Sequence, residues 1–266
     1  MKRRYIAAVA QIDTGHTWEE NLASAEHFVD EAAAHGASLI AFPENFTCYE
    51  GGHTRVELLE SSSTLEHMAK KAQEHHMWIL CGTLFTPGED GRHKNTSILL
   101  NPAGERVARY DKTHLFDVTL PNGEERRESK LVQPGDHITT VETELGHLGM
   151  SVCFDVRFPE LYRNMALQGA QVLLVPAMFS SLTGRAHWEL LVRTRAVENT
   201  CYVIAADQWG GHGDGYGHSM IVSPWGEIIA QVPDGQGIAY GEIDLDYLDR
   251  VRGNMPCLAN RRADLY

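Results

Sequence analysis

His147-Leu-Gly-Met-Ser-Val-Cys153-Phe-Asp-Val-Arg157-Phe-Pro-Glu160 is the junction on which the fold turns. Leu148 to Phe154 reads as a buried strand, too short and too β-branched beside the cysteine for a helix. Asp155 interrupts it. Pro159 suits the first turn of a helix that continues through Leu161, Met165 and Leu167 to Gln168, and Gly169 ends it. Cys153 therefore stands where a strand hands over to a helix. In open α/β sheets that end of the strand is where ligands bind, and a sharp turn there lifts a nucleophile clear of the sheet. The backbone N–H of Phe154 is then placed to bind an oxyanion. Taken alone, a cysteine in an apolar run is ordinary core; the rest of the chain decides otherwise.

The chain has 266 residues, 43% hydrophobic and 22% charged, which is ordinary globular composition. No linker interrupts it, so residues 1–266 are expected to form a single domain. A net charge of −13 argues against nucleic acid or an anionic membrane as partner. The apolar runs fall far short of a membrane span. Met1 to Ala10 imitates a signal peptide, but its apolar part is short and Gln11 and Asp13 follow at once, so it reads as the first strand. Five scattered cysteines without a Cys-x-x-Cys suit reduced thiols in a cytoplasmic protein, with Cys48, Cys81, Cys201 and Cys257 as packing thiols.

Working outward, the two halves repeat. Ile6–Ile12 is a strand; Trp18 to Ala32 has helical spacing and stops at His35-Gly36; Ser38–Phe42 is a strand, Ser61–Met77 a helix and Trp78–Phe85 a strand. Thr96–Leu100 and Val107–Tyr110 flank the turn Asn101-Pro-Ala-Gly104. After the junction come the strand Gly169-Ala-Gln-Val-Leu-Leu-Val-Pro176, a helix His187–Thr200 and a strand Cys201–Asp207. Gly169 to Pro176 matches His35-Gly-Ala-Ser-Leu-Ile-Ala-Phe-Pro43 almost position for position. Met220-Ile-Val-Ser-Pro-Trp-Gly226-Glu-Ile-Ile repeats the hairpin Ile98-Leu-Leu-Asn-Pro-Ala-Gly104-Glu-Arg-Val. Each half reads strand, helix, strand, helix, strand, hairpin. Two such units stack as a four-layer α-β-β-α sandwich with an internal pseudo-twofold repeat.

Glu44 follows Pro43 at one strand end, Lys112 follows the first hairpin, and Cys153 ends the matching strand of the second half. Each is a polar group just beyond an apolar strand. Pro43-Glu44, Lys112-Thr-His114-Leu-Phe116-Asp117 and Cys153-Phe-Asp155-x-Arg157-Phe-Pro-Glu160 together resemble the three signatures of the nitrilase superfamily of carbon–nitrogen hydrolases. The resemblance covers nearly the whole chain. It implies the same α-β-β-α fold, a Glu44–Lys112–Cys153 catalytic triad, no cofactor, and homodimers or larger homo-oligomers. A second family glutamate falls on Glu128, with Glu124 and Glu125 as neighbours that compete for the assignment. Phe154 stands where many members carry tyrosine, which leaves its backbone N–H intact.

The chemistry agrees with these roles. A free thiol has a pKa near ~8.5, so little is thiolate at neutral pH. Glu44 as general base takes the proton as sulfur attacks. The developing oxyanion needs a cation and an N–H, which Lys112 and Phe154 supply. A water activated by Glu44 and positioned by Glu128 then hydrolyses the thioester.

The substrate clue lies in the second half. Thr183-Gly-Arg-Ala-His187-Trp188, Arg193-x-Arg195-Ala-x-Glu198, Tyr216-Gly-His218-Ser219-Met220 and the tail Arg261-Arg262-x-Asp264-Leu265-Tyr266 resemble the Nit branch, in particular its deaminated-glutathione amidases. That resemblance implies hydrolysis of the primary amide end of a small 2-oxo-acid amide with release of ammonia. ω-Amidase action on 2-oxoglutaramate, nitrile or carbamoyl hydrolysis, and a binding module with an inactive site are the alternatives. Such an amide is anionic, so a cation is expected in the pocket. Arg157 and Arg185 are the candidates, although Arg157 also suits an ion pair with Asp155 or Glu160. Thr183, His187 and Trp188 are expected at the pocket wall, and Trp188 also suits plain packing. Gly210 to Gly217 looks like a phosphate loop but precedes a strand, so a flexible loop over the pocket is expected. The 14 histidines show no metal-ligand spacing, and no metal is expected.

Overall fold

The computed structural model describes residues 1–47, 55–211 and 214–265, with only the backbone of residues 55–61. Cys48 lies outside the described residues. The first half contains β1 (Arg4–Gln11), α1 (Trp18–Ala34), β2 (Ala37–Ala41), α2 (Arg55–His75), β3 (Trp78–Pro87), β4 (His93–Leu100) and β5 (Arg106–Asp111). A small ribbon follows, β6 (Asp117–Thr119) and β7 (Glu125–Arg127). The second half contains β8 (Thr139–Thr143), β9 (Gly146–Met150), α3 (Pro159–Leu167), β10 (Val172–Ala177), α4 (Ser181–Asn199) and β11 (Tyr202–Asp207). It goes on through β12 (Trp209–Gly210), β13 (Gly215–Tyr216), β14 (Met220–Val222), β15 (Ile228–Gln231), β16 (Gly237–Asp244) and α5 (Leu245–Asn254).

The repeat read from the sequence is present. β1, β2 and β3 are parallel and continue antiparallel into β4 and β5. β9, β10 and β11 are parallel and continue antiparallel into β14 and β15. Each sheet has a sixth strand that the sequence reading lacked. β8 adds antiparallel to β9, and β16 returns from the end of the chain to add antiparallel to β1, from Arg4↔Asp244 to Gln11↔Gly237. The two sheets are thus built alike, each extended outside its first repeat strand.

The layers follow from a side-chain period of two. In the first sheet Ala7, Val9, Leu39, Ala41 and Leu80 join the core shared with Met150, Leu173 and Val175 of the second sheet. The alternate residues Ala8, Ala10, Ile40, Ile79 and Cys81 pack under Leu22, Phe28 and Val29 of α1 and Met68 and Ala72 of α2. On the far side Leu161, Met165, Trp188, Val192 and Ala196 of α3 and α4 cover the second sheet. This is the four-layer sandwich, with near-continuous apolar strands because both faces of each sheet are buried.

Local signals set the ends. Thr17 caps α1 in a capping box with Glu20, and Gly36 at φ 75° turns the chain out of it. Pro159 opens α3. Two of the boundaries that differ from the sequence reading bear on the site. β9 stops at Met150, and Cys153–Arg157 forms a 3-10 turn, because the N–H of Val152 is drawn to Asp155 Oδ2 at 2.8 Å instead of a strand partner. α4 starts at Ser181 rather than His187, which places Thr183 and Arg185 on its first turns. Among the described residues no helix is long and apolar enough to cross a membrane.

Candidate active site

Glu44 lies three residues beyond β2. Gly82 of β3 makes room for it, since a Cβ there would come within 1.8 Å of the Pro43 carbonyl oxygen. Asn45, at φ 52°, turns the chain and donates its N–H to Thr83 Oγ1 at 2.9 Å. The Glu44 N–H donates to Ala177 O of β10 at 3.3 Å, and the Gln208 side-chain amide donates to the Glu44 carbonyl. Both bonds run to the second half, so the carboxylate is anchored across the two sheets.

Lys112 follows β5, and its N–H donates to Asn95 O of β4 at 2.9 Å. Its ammonium is buried, 3.0 Å from Glu44 Oε1 and 2.9 Å from Glu128 Oε2. Glu128 opens a 3-10 turn after β7 and accepts the Phe116 N–H at 2.6 Å. Glu124 and Glu125 pair instead with Arg126 and Arg127 at 2.5 and 3.1 Å, so of the three neighbouring glutamates Glu128 is the one that meets Lys112. Burial pulls the Lys112 ammonium down, yet the charges of Glu128 and Glu44 hold it well above the ordinary lysine range.

Cys153 takes φ 50°, a left-handed conformation rare outside glycine. Such strain persists only where the surroundings enforce it. Its sulfur is 3.8 Å from Met178 O, and Glu44 and Lys112 both act on it electrostatically. Burial first, then the Glu44 charge, pushes the thiol well above its usual range, against the pull of Lys112. Phe154 is the second residue of the 3-10 turn, where N–H groups lack partners within the turn.

The buried Asp155 joins the Cys153 turn to the Lys112 segment. Its Oδ2 accepts from Val152 N and Tyr110 Oη, both at 2.8 Å. Its Oδ1 accepts from Thr113 Oγ1, His114 N and His114 Nδ1 at 3.2, 3.0 and 2.7 Å. Five hydrogen bonds on one carboxylate tie two segments some forty residues apart in sequence.

Glu44, Lys112, Glu128, Cys153 and Phe154 meet in one cleft of about 820 Å³. Of the expected wall residues, Thr183 lines it. Three expectations are corrected. Arg185 is exposed on α4 and does not line the cleft. Trp188 is fully buried: its ring packs 4.9 Å from Phe179 and its N–H donates to His218 O at 3.0 Å, so the packing role holds. His187 is exposed outside the cleft and reaches it only through Arg157, its Nδ1 lying 3.3 Å from Nη1.

Nor does Arg157 pair with Asp155 or Glu160. Asp155 is saturated by other donors, and among the described residues Arg157 forms no salt bridge. Its guanidinium lies 5.7 and 5.1 Å from the Phe154 and Phe179 ring centroids and lines the cleft. Residues 209–210 and 215–216 pair as a hairpin and Asp214 lines the cleft, while residues 212 and 213 lie outside the described part. Asn95, Arg126 and Gln208 also line the cleft without having been anticipated. The available signal for Asn95 was the polar run Lys94-Asn-Thr-Ser97 inside a strand with apolar neighbours. Asp30, Glu74 and His75 could gather a cation, but none lines the cleft and Lys71 already holds Asp30 at 2.7 Å.

A sandwich of two repeated α/β units with a buried thiol, ammonium and carboxylate at the strand ends, and a second carboxylate beside them, defines a class of hydrolytic site. Residues 6–253 match the carbon-nitrogen hydrolase family, and the chain belongs to that family. It is 43% identical to a deaminated glutathione amidase of Synechocystis sp. over 269 residues, covering 97% of this chain and 98% of that protein. It is 39% identical to the deaminated glutathione amidase of Mus musculus, covering 98% of this chain and 84% of that one. The crystal structure of the C. elegans NitFhit protein superposes with a TM-score of 0.92 at 35% identity, covering all of this chain and 66% of that one.

Proposed function

We propose that this protein hydrolyses the amide C–N bond of a small 2-oxo-acid amide of the deaminated-glutathione type through a thioester on Cys153. What carries the reading is the convergence of Glu44, Lys112 and Cys153 at the floor of one cleft. The relatives named above support the substrate class. Glu44 takes the thiol proton as sulfur attacks the carbonyl carbon. Lys112 and the Phe154 N–H stabilise the oxyanion. Glu44 returns the proton to the departing nitrogen, and the thioester remains. Water, deprotonated by Glu44 and held by Glu128, releases the acid and restores the thiol. Glutathione's own amide bonds are secondary, so from a substrate of that type an amine departs; from a primary amide, ammonia does.

Arg157 is the cation best placed for the substrate carboxylate, since it lines the cleft and has no carboxylate partner among the described residues. Its aromatic neighbours hold the guanidinium without neutralising it. A homodimer or larger assembly and a cytoplasmic location belong to the same reading. Among the described residues Cys81, Cys153, Cys201 and Cys257 are free thiols, which supports the second, and sedimentation of the purified chain tests the first. The test of function is incubation with deaminated glutathione, 2-oxoglutaramate, nitriles and carbamoyl compounds, following amine, ammonia and acyl-Cys153 mass. Turnover of the two amides with an acyl adduct on Cys153 is expected. Activity confined to nitriles or carbamoyl compounds, or none at all, overturns the proposal.

A further inference from the structure

We infer that Asn95 is a positioning residue of this site, its side-chain amide bridging Glu44 and Glu128 so that one oxygen of Glu44 is left facing the sulfur. The inference rests on Glu44 serving as the base.

Asn95 sits on β4 and is 2% exposed. Its Nδ2 donates to Glu44 Oε1 at 2.7 Å and makes a longer contact with Glu128 Oε1 at 3.5 Å, while its carbonyl accepts the Lys112 N–H at 2.9 Å. One residue therefore touches both carboxylates through its side chain and the Lys112 segment through its backbone. The orientation of the amide follows from its neighbours. With oxygen and nitrogen exchanged, the oxygen would face two carboxylate oxygens. As it stands, Oδ1 is buried with no hydrogen-bond partner among the described residues. An acceptor is left unused so that both donors serve the carboxylates.

The chemistry calls for such a group. Two carboxylates, the buried Glu44 and the half-buried Glu128, share a single ammonium, Lys112. An amide stabilises ionised carboxylates by donation without adding a second positive charge beside the thiol. It also fixes geometry. Glu44 Oε1 receives both Lys112 and Asn95, which leaves Oε2 for the Cys153 proton. Without the amide the Glu44 carboxylate would be free to rotate about its terminal bond and spend less time in the transferring orientation.

The test uses the full-length protein and two variants, Asn95→Ala and the nearly isosteric Asn95→Asp. The backbone contact to Lys112 survives both. Loss of hydrogen bonds to charged groups predicts a kcat about 10- to 100-fold lower in Asn95→Ala, with KM within about threefold. Asn95→Asp should lose at least as much despite its size, because it sets a third acid against Glu44 and Glu128. Thermal unfolding is run alongside, and a loss confined to folded fraction overturns the proposal. Cys153 alkylation by iodoacetamide, read by mass spectrometry, is expected to slow in both variants. This needs no substrate, so if the wild-type chain turns over no amide, the functional reading falls while the alkylation ratio still judges Asn95. Rates within threefold of wild type for both variants overturn it.

Discussion

The Oδ1 atom of Asp155 lies 2.7 Å from Nδ1 of His114, and its Oδ2 takes the Val152 N–H next to the nucleophile at 2.8 Å. The carboxylate is fully buried and accepts five hydrogen bonds. Asp155→Ala leaves the Val152 N–H without a partner, at a cost of about 1–3 kcal/mol, and leaves the Tyr110 hydroxyl only Thr113 Oγ1. Asp155→Asn keeps the volume but turns an amide N–H toward donors. Both variants should unfold at lower temperature and lose kcat beyond the loss of folded protein. Unchanged kcat in Asp155→Asn would show that the clamp is dispensable.

Cys153 should react as a buried thiol. Burial and the Glu44 charge raise its pKa, and Lys112 opposes them. Below that raised pKa the thiolate fraction grows about tenfold per pH unit. Iodoacetamide alkylation of the wild type should therefore keep climbing past the ordinary thiol value of ~8.5. Glu44→Gln removes an upward push and brings the plateau to lower pH; Lys112→Gln removes the downward pull and takes it higher. The folded state holds this proton to higher pH than the unfolded chain, so the thiol's contribution to stability falls as pH rises past ~8.5. A wild-type plateau at that value would contradict this environment.

Lys112→Met leaves the buried Glu44 and the half-buried Glu128 side by side without their shared cation. Removing one partner of a buried ion pair typically costs about 3–5 kcal/mol, and losing one oxyanion donor about 10²–10³ in kcat. Steady-state kinetics and thermal unfolding measure the two separately. Because its pKa is raised, Lys112 contributes stability throughout neutral pH and loses it only above the ordinary lysine range.

Arg157→Gln should raise KM for an anionic amide about 10- to 100-fold, the worth of a charge-assisted hydrogen bond. KM for a neutral amide of similar size should stay within about threefold, as no carboxylate is then at stake. Equal changes for both amides would assign Arg157 to packing against Phe154 and Phe179.

Gly82→Ala tests how Glu44 is placed. The new Cβ would lie 1.8 Å from the Pro43 carbonyl oxygen, and that neighbour is backbone, so the Glu44 turn must shift. Overpacking of this kind costs about 1–3 kcal/mol. A displacement of about 1 Å at the base can cost on the order of 10² in rate. Gly253→Ala, in α5 where a new Cβ meets open space, provides a control. Wild-type activity in Gly82→Ala would contradict the tight approach.

By itself the sequence determined the two repeated units and the polar groups Glu44, Lys112 and Cys153 beyond their strands, with the motifs that resemble the family's. Each of these is written in local periodicity, turn residues or short motifs. Tertiary structure alone decided the rest. β16 joins β1 across more than two hundred residues, and its own residues carry no mark of that partner. Trp188 points into the core and Arg185 into solvent because α4 begins at Ser181, which sets the facing of every later residue. Asp155 could pair with Arg157 on spacing, but donors from Tyr110, Thr113 and His114 reach it first. A side chain's partner is chosen by which remote groups arrive in range, and only the folded chain brings them there.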